Sequence, residues 1–257
     1  MNKLIGRIHL GKPLYYAVLV SFIVPIVFLS YRIGSMDTAE QTQGLHSRAD
    51  YVLMLVQCIL GLAAIHIPSL LSRTFKFELP GFLYGMYIIF LYCAIFLGEV
   101  RSFYYLVPHW DDFLHSMSSM MTGFFAFMFV TILNRNENII FDMSPAFVAL
   151  FAFTFSVAIG ALWEIYEFSG DGFMGLNMQK FMLADGTVLV GHAALSDTMK
   201  DIVIDMLGAL VASTVGFISL RHRFTWMIPK LDYTPGEMST ESVQEASNIS
   251  GTQNTDA

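Results

Sequence analysis

Charged residues are scarce in this chain. Asp, Glu, Lys and Arg account for 14% of its 257 residues, whereas hydrophobic residues account for 55%. A soluble globular domain usually carries about 25% charged residues. The shortage of charge therefore excludes an ordinary soluble domain and indicates a protein that resides in lipid.

Cysteine and clustered basic residues are also scarce. The two cysteines, Cys58 and Cys93, lie within apolar runs, so the sequence predicts neither a disulfide framework nor a cysteine metal site. No stripe of Lys and Arg alternates with aromatic residues, which excludes a nucleic-acid surface. Strand-like alternation of polar and apolar residues is missing from the apolar runs, so a helical bundle is favoured over a β-barrel.

Six apolar runs are long enough to cross a bilayer as helices, because about 20 residues at 1.5 Å each cover the roughly 30 Å hydrocarbon core. The runs lie at about residues 14–33, 51–71, 81–100, 113–133, 145–166 and 202–220. The sequence therefore predicts an all-α, polytopic membrane domain of six transmembrane helices in residues 1–231. Residues 232–257 are rich in Ser, Thr, Glu, Gln and Asn, which predicts a disordered cytoplasmic tail.

The basic residues indicate how the spans are oriented. Nine of the 14 fall on one side of the membrane if the six spans alternate: Lys3, Arg7, Lys12, Arg73, Lys76, Arg135, Arg221, Arg223 and Lys230. Lys and Arg concentrate in cytoplasmic loops. We therefore expect both termini in the cytoplasm and the protein in the bacterial cytoplasmic (inner) membrane.

Acidic side chains recur near the outer ends of the fourth, fifth and sixth predicted spans. Each costs about 2.5–3.5 kcal/mol at the centre of a membrane helix, so such groups suggest a functional site. Within each span they share one helix face with small or hydroxylated residues. The candidate site residues are Asp111, Asp112, His115, Glu164, Glu167, Asp197, Asp201 and Asp205. We expect an outward-opening pocket floored by Gly160, Gly208 and Ser118, with Glu99 and Arg101 beside it.

Some of these acids have a second interpretation. Asp111, Asp112 and Asp197 fall in first helical turns, where carboxylates cap free amides and complement the helix dipole. The remaining acids lie too deep in their helices, or at the wrong end, for capping to explain them. For the pair in the fifth span the alternative is ion pairing with Arg101 or Lys200.

Crowded carboxylates need compensating positive charge in a medium of low dielectric constant. A divalent metal, a coupled proton and a cationic substrate would each supply it. Carboxylate oxygens suit Mg²⁺ or Mn²⁺, and a histidine ligand leaves Zn²⁺ open. We predict that the eight candidates bind such a metal, with Glu164 or Asp201 as general base if the site is catalytic.

The loop between the fifth and sixth spans, residues 168–196, is the longest on the predicted outer side. It combines glycines with apolar residues, and Asp185-Gly186 between two short apolar runs resembles a hairpin turn. Two interpretations fit this composition. The loop is either an extracytoplasmic lid that covers the pocket or a plain amphipathic connector.

Residues 111–216 resemble the YjdF-like family of bacterial inner-membrane proteins of unknown function. More distantly, they resemble the VanZ-like (teicoplanin-resistance) membrane proteins. The resemblance rests on Asp111-x-x-x-His115, Trp163-Glu164-x-x-Glu167 and Asp201-x-x-x-Asp205-x-x-Gly208-Ala209. Those relatives usually carry Asn where this chain has Asp205, which adds a carboxylate here. The resemblance implies cell-envelope biology and brings no established reaction.

Three functions are compatible with these features. The first is a membrane protein whose pocket binds a cation and acts on a phospholipid or a lipid-linked cell-envelope substrate. The second is a small proton- or ion-coupled transporter, which requires polar residues through to the cytoplasmic ends of the spans, where the sequence has few. The third is a non-catalytic envelope assembly or resistance factor, in which the acids hold helices together through ion pairs. Only the first makes the protein an enzyme.

Overall fold

The computed structural model describes residues 11–35, 48–75, 79–134, 143–183 and 186–222. The predicted C-terminal tail, residues 232–257, lies outside the described residues. So do several of the basic residues used to predict the orientation, including Lys3 and Arg7.

Eight α-helices follow one another along the described chain. They are α1 (Gly11–Ser35), α2 (Arg48–Ala64), α3 (Ile67–Phe75), α4 (Gly81–Leu91), α5 (Phe103–Leu106), α6 (Trp110–Asn134), α7 (Pro145–Met174) and α8 (Ser196–Arg221). A π-helical segment, Tyr92–Val100, continues α4, and a short 3-10 turn, Gly191–Ala193, precedes α8.

Six helical segments of the described chain are long and apolar enough to cross a membrane. They are Pro13–Ser35, Asp50–Thr74, Gly81–Val100, Trp110–Thr131, Pro145–Met174 and Ser196–Arg221. The predicted all-helical fold with six spans is therefore confirmed. The last two segments are longer than predicted, because the fifth ends at Met174 and the sixth begins at Ser196. All the acids of these two spans consequently lie inside helices.

The ends of α7 are set by local chemistry. The hydroxyl of Ser144 accepts a hydrogen bond from the Phe147 amide at 3.3 Å, and Pro145 occupies the first helical position, where its missing N–H is not needed. At the other end Gly175 adopts a left-handed conformation with φ of 65°, a common helix stop. Between these signals α7 runs for 30 residues, about 45 Å.

The helices pack in two groups. The first consists of α1, α2 and the α4 segment with its π-helical continuation, and the second of α6, α7 and α8. Gly123 of α6 lets α8 approach closely, since a Cβ there would lie 2.8 Å from the Cβ of Ala212. Small residues at such crossings are typical of membrane helix pairs. The second group has an apolar core that includes Phe124, Phe127, Met128, Val148, Ala152 and Ala212.

The connection between α7 and α8, residues 175–195, belongs to the segment predicted to be either a lid or a plain connector, and we call it the lid loop. Met182 and Val188 form an antiparallel bridge, and the Leu189 amide donates to the Phe181 carbonyl at 2.8 Å. Gly186, with φ of 85°, reverses the chain between them. The predicted hairpin is therefore confirmed as a short antiparallel pairing, although residues 184–185 lie outside the described chain.

Candidate metal centre

His115 lies at the centre of the acidic residues and is buried. Its Nδ1 is 3.4 Å from Oδ2 of Asp205 on α8. Its Nε2 is 3.9 Å from Oδ1 of Asp111 on α6 and 3.9 Å from Oε1 of Glu164 on α7. One imidazole ring thus lies against carboxylates from all three helices of the second group.

Helix geometry explains how these groups meet. Asp111 and His115 are four residues apart on α6, so their side chains share one face. Across the interface, Gly160 of α7 makes room for α8, because a Cβ at this position would overlap the Asp205 carboxylate. The stripes of small residues therefore bring the acidic faces of α7 and α8 against His115.

Asp201 lies close to both Asp111 and His115. One donor atom from each of Asp111, His115 and Asp201 lies within 4.8 Å of the other two. Zn–N and Zn–O bonds of about 2.0–2.2 Å place two ligands of one ion at most about 4.4 Å apart. Atoms up to 4.8 Å apart would have to move closer together before they could share one ion.

The environment of Asp201 is unusual for a charged residue. Its side chain is fully buried, with 0% exposure, and neither carboxylate oxygen has a hydrogen-bond partner among the described residues. Burying an ionised carboxylate without a partner is strongly unfavourable. The arrangement therefore calls for a proton or a bound cation at this position.

Glu164 and Glu167 extend the buried acidic group on α7. Both side chains are buried. The indole Nε1 of Trp163 donates to Oε1 of Glu167 at 2.8 Å. The other oxygen of Glu167 and both carboxylate oxygens of Glu164 have no hydrogen-bond partner within the described ranges. Glu164 thus faces the His115 ring, and the side chains of Gln179 and Thr198 lie near its carboxylate.

Two lysines lie above the buried acids, at the end of the bundle covered by the lid loop. The Nζ of Lys180 is 2.5 Å from Oδ2 of Asp111 and 3.2 Å from Oδ1 of Asp197. The Nζ of Lys200 is 2.6 Å from Oδ1 of Asp112. These pairs compensate the acids nearest the mouth of the cluster. They leave the deeper carboxylates without a lysine partner in the described chain.

Lys180 is charged at neutral pH. Burial favours its neutral form, but Asp111 and Asp197 outweigh burial and raise the pKa of the ammonium group above its usual value. The residue also adopts a left-handed backbone conformation, with φ of 48°, which is uncommon for residues other than glycine. Local hydrogen bonds hold it in this conformation.

Those hydrogen bonds come from α7 and α8. The carboxylate of Asp171 accepts from the amides of Met178 at 2.7 Å and Gln179 at 3.0 Å. The side chain of Gln179 donates to the Thr198 hydroxyl at 2.8 Å. The two residues before Lys180 are thereby attached to both helices, and Lys180 is placed over the mouth of the cluster.

The predicted floor of the pocket is wrong in one residue. A Cβ at Gly208 would overlap the hydroxyl of Ser119, so Ser119 faces α8. Both serines donate to carbonyls within α6, Ser118 to His115 and Ser119 to Ser116, but Ser119 is buried and Ser118 only partly so. One residue corresponds to a rotation of about 100° around a helix, so a small error in the estimated face selected the wrong serine. Gly160 and Gly208 lie where they were predicted.

The ion pairs considered as an alternative for the acids of the fifth span do not form in the described chain. Lys200 pairs with Asp112 instead. None of the ion pairs among the described residues joins Arg101 to Glu164 or Glu167. Glu99, expected beside the pocket, accepts a hydrogen bond from Gln57 of α2 at 2.9 Å and lies near enough to Asp111 for the two charges to interact.

The structure thus divides the eight sequence candidates between two layers. The deep layer contains His115, Glu164, Glu167, Asp201 and Asp205, and the mouth contains Asp111, Asp112 and Asp197. Asp111 joins the layers, because its two oxygens face different groups. Sequence reasoning missed the part played by Lys180. The sequence did offer one indication, because Lys180 is one of the few basic residues on the predicted outer side, where the acidic residues also lie.

Comparisons with known proteins place this chain in a family. A family model described as "Predicted membrane protein (DUF2238)" matches residues 15–222, which include the whole cluster. An uncharacterized protein of Thermotoga maritima is 30% identical over 131 residues, which cover 51% of this chain and 59% of that protein. This chain therefore spans little more than half the length of that relative. No solved structure matches. On the family match, the chain belongs to the DUF2238 family of predicted membrane proteins.

Proposed function

We propose that this membrane protein binds a divalent metal ion between α6, α7 and α8, with Asp111, His115 and Asp201 as ligands. One observation carries the proposal: the three donor atoms lie within 4.8 Å of one another, around a fully buried Asp201 that has no hydrogen-bond partner among the described residues. A metal ion would supply the charge that the buried carboxylates lack.

The surroundings of His115 support this assignment. Ligand histidines usually donate their second ring N–H to a carboxylate, which fixes the tautomer and the ring orientation. Asp205 lies at Nδ1 of His115, 3.4 Å away, and leaves Nε2 directed toward Asp111 and Glu164. We therefore assign Asp205 to orienting the imidazole and Nε2 to the metal.

The donor set narrows the choice of metal and of ligands. Two carboxylates and one imidazole suit Mn²⁺ or Zn²⁺ better than Mg²⁺, which prefers oxygen ligands and retained waters. Asp112 and Asp197 pair with lysines and do not belong to the group of three donor atoms, so we leave them out of the proposed ligand set. Glu164 lies close enough to His115 to serve as a further ligand or as a base.

In a catalytic use of the site, a bound divalent ion would neutralise a phosphate oxygen of the substrate and activate a water molecule. Glu164 would accept the proton of that water, because its Oε1 lies 3.9 Å from Nε2 of His115, the nitrogen that we assign to the metal. The membrane setting and the VanZ-like resemblance favour a phospholipid or a lipid-linked cell-envelope substrate. On this proposal the cluster faces the extracytoplasmic side of the bacterial inner membrane, with both termini cytoplasmic.

The interior beyond the cluster favours binding over transport. The hydroxyls of Thr122 and Ser156 lie 2.9 Å apart, and Ser156 also donates to the Ser119 carbonyl at 2.7 Å. Past this point the space between the three helices holds the apolar core, and Gly216 packs directly on the ring of Phe127. Such packing is unfavourable for an ion path to the other side.

Metal analysis of the purified protein tests the proposal. We expect about one Mn or Zn per chain in protein loaded with these ions and dialysed. Asp201→Asn and His115→Gln should lose the metal. Asp112→Asn is the matched control, since it changes a carboxylate of the mouth that lies outside the proposed ligand set. Wild-type protein without stoichiometric metal, or an Asp201→Asn variant that retains it, would overturn the assignment.

A further inference from the structure

We propose that the apolar edge of the lid loop is a membrane-contact surface whose partner is the headgroup layer of the surrounding bilayer. The apolar edge consists of the exposed apolar residues at and between the facing ends of α7 and α8: Phe173, Met174, Leu183, Val188, Val190 and Leu195. Phe173 is 90% exposed and Val190 is 83% exposed. This inference does not depend on a metal in the cluster.

The exposure of these side chains is fixed by the backbone around them. Asn177 is bonded in both directions to Met182, through its Nδ2 to the carbonyl at 2.7 Å and through its Oδ1 to the amide at 2.9 Å. The hairpin bond from the Leu189 amide to the Phe181 carbonyl adds a further constraint. Turning Val188 or its neighbours inward would break this network. The apolar edge therefore needs an external apolar partner.

On α7 the apolar edge continues a lipid-facing stripe. Phe173 lies seven residues after Tyr166 and eleven after Leu162, so the three residues fall within about 40° of one another around the helix. Leu162 and Tyr166 are exposed within the fifth span, where the surroundings are lipid. Phe173 extends this surface toward the end of the helix.

On α8 the same continuity holds. Leu195 precedes Met199 by four residues, and Met199 precedes Val203 by four, which places the three on one side of the chain. All three are exposed, and Met199 and Val203 belong to the sixth span. Because both ends of the apolar edge merge with lipid-facing stripes, the bilayer is its natural partner rather than a second protein.

Helix length places the apolar edge at the right depth. The 30 residues of α7 extend about 45 Å, which matches the roughly 40–45 Å of a bilayer including its headgroup layers. Phe173, at the end of α7, therefore lies in a headgroup layer. Apolar side chains of interfacial segments insert about 5–10 Å into this region.

The charges beside the apolar edge fit the same partner. Lys180 belongs to the lid loop, and Lys200 lies one turn into α8 after Leu195. Both side chains are more than a third exposed. Lysines next to interfacial apolar residues favour the phosphate level of a membrane. The mouth of the cluster consequently opens among lipid headgroups rather than into bulk water.

Spin labels test this placement. Labels at Phe173→Cys and Val190→Cys, in nanodiscs of phosphatidylcholine and phosphatidylglycerol, should be relaxed more by oxygen than by a water-soluble nickel complex. Leu162→Cys serves as the reference inside the membrane, and the free spin label in the same buffer serves as the aqueous reference. Cys58 and Cys93 are buried, so unsubstituted protein should take up little label.

Two outcomes would overturn the proposal. Nickel relaxation of the two labels close to that of the free spin label would place the apolar edge in water. The labels could instead be shielded from both oxygen and the nickel complex, with spectra broadened by spin–spin interaction when each nanodisc holds more than one protein copy. That result would show that a second copy covers the apolar edge. All labelled positions are exposed, so loss of folding is not expected to confuse the readout.

Discussion

Lys180 and Asp111 connect the lid loop to α6 through a contact of 2.5 Å between Nζ and Oδ2. The other oxygen of the same carboxylate, Oδ1, lies 3.9 Å from Nε2 of His115. One aspartate is therefore shared between a fixed positive charge at the mouth and the proposed ligand set beneath it. This sharing links the position of the lid loop to the electrostatics of the buried acids.

Lys180→Gln should tighten metal binding. The substitution removes a positive charge next to a ligand and frees one oxygen of Asp111, so we expect the Kd for Mn²⁺ to fall roughly tenfold, about 1.4 kcal/mol. The Kd is measured by titrating the protein with Mn²⁺ and following the electron paramagnetic resonance signal of the free ion, which is lost on binding. Lys200→Gln is the control and should have a smaller effect, because Lys200 pairs with Asp112. Weaker binding in Lys180→Gln would contradict this role for the lysine.

Asp205→Asn should weaken metal binding without abolishing it. Loss of the carboxylate at Nδ1 removes the group that orients the ring, and such changes typically reduce metal affinity about 10–100-fold. Titration with Mn²⁺ or Zn²⁺ against wild-type protein and His115→Gln gives the comparison. An unchanged affinity in Asp205→Asn would show that the contact between Asp205 and His115 does not support a ligand.

Asp201→Asn should stabilise the metal-depleted protein, because it removes a buried charge that has no partner in the described chain. A gain of about 1 kcal/mol corresponds to a thermal midpoint higher by roughly 2–4 °C. Added Mn²⁺ should raise the midpoint of wild-type protein and leave that of the variant unchanged. A lower midpoint in Asp201→Asn, independent of metal, would favour a structural role for the acids, as in an assembly factor.

Two glycines of α7 offer a matched pair of substitutions. Gly160→Ala should destabilise the protein by about 1–3 kcal/mol, since the added methyl group would overlap the Asp205 carboxylate. Gly172→Ala should stabilise it by about 0.5–1 kcal/mol, because no neighbouring group of the described chain lies within 4 Å of the new methyl group and alanine is the better helix former. Thermal unfolding in detergent compares the two variants. Equal effects would mean that α7 and α8 are not in close contact at Gly160.

The faces of α7 and α8 were predictable from residue spacing alone. The polar and small residues of α7 recur every three or four positions, at Ser156, Gly160, Glu164 and Glu167. All four are buried. A helix with lipid on one side leaves its polar stripe only the bundle interior to occupy. The error on α6 at Ser118 arose because hydroxyl residues occupy neighbouring positions there, and spacing does not decide between them.

The lid loop was less predictable. Its hairpin was predicted from the sequence Asp185-Gly186, whereas the placement of Lys180 depends on hydrogen bonds that the Asp171 carboxylate accepts and the Gln179 side chain donates. Those bonds form between backbone and side-chain groups several residues apart, with no period that a sequence pattern reveals. The pairing of Lys200 with Asp112 similarly required the relative rotation of α6 and α8.

The sequence by itself determined the membrane class, the six helices and the buried acidic faces, because hydrophobic length and helical period are properties of a single segment. Only the tertiary structure decided which oxygen meets which nitrogen. The contacts of 2.5–3.9 Å around Asp111 and His115 depend on the distances between α6, α7 and α8 and on the rotation of each helix. Small residues where the helices cross, such as Gly160 of α7, set these distances.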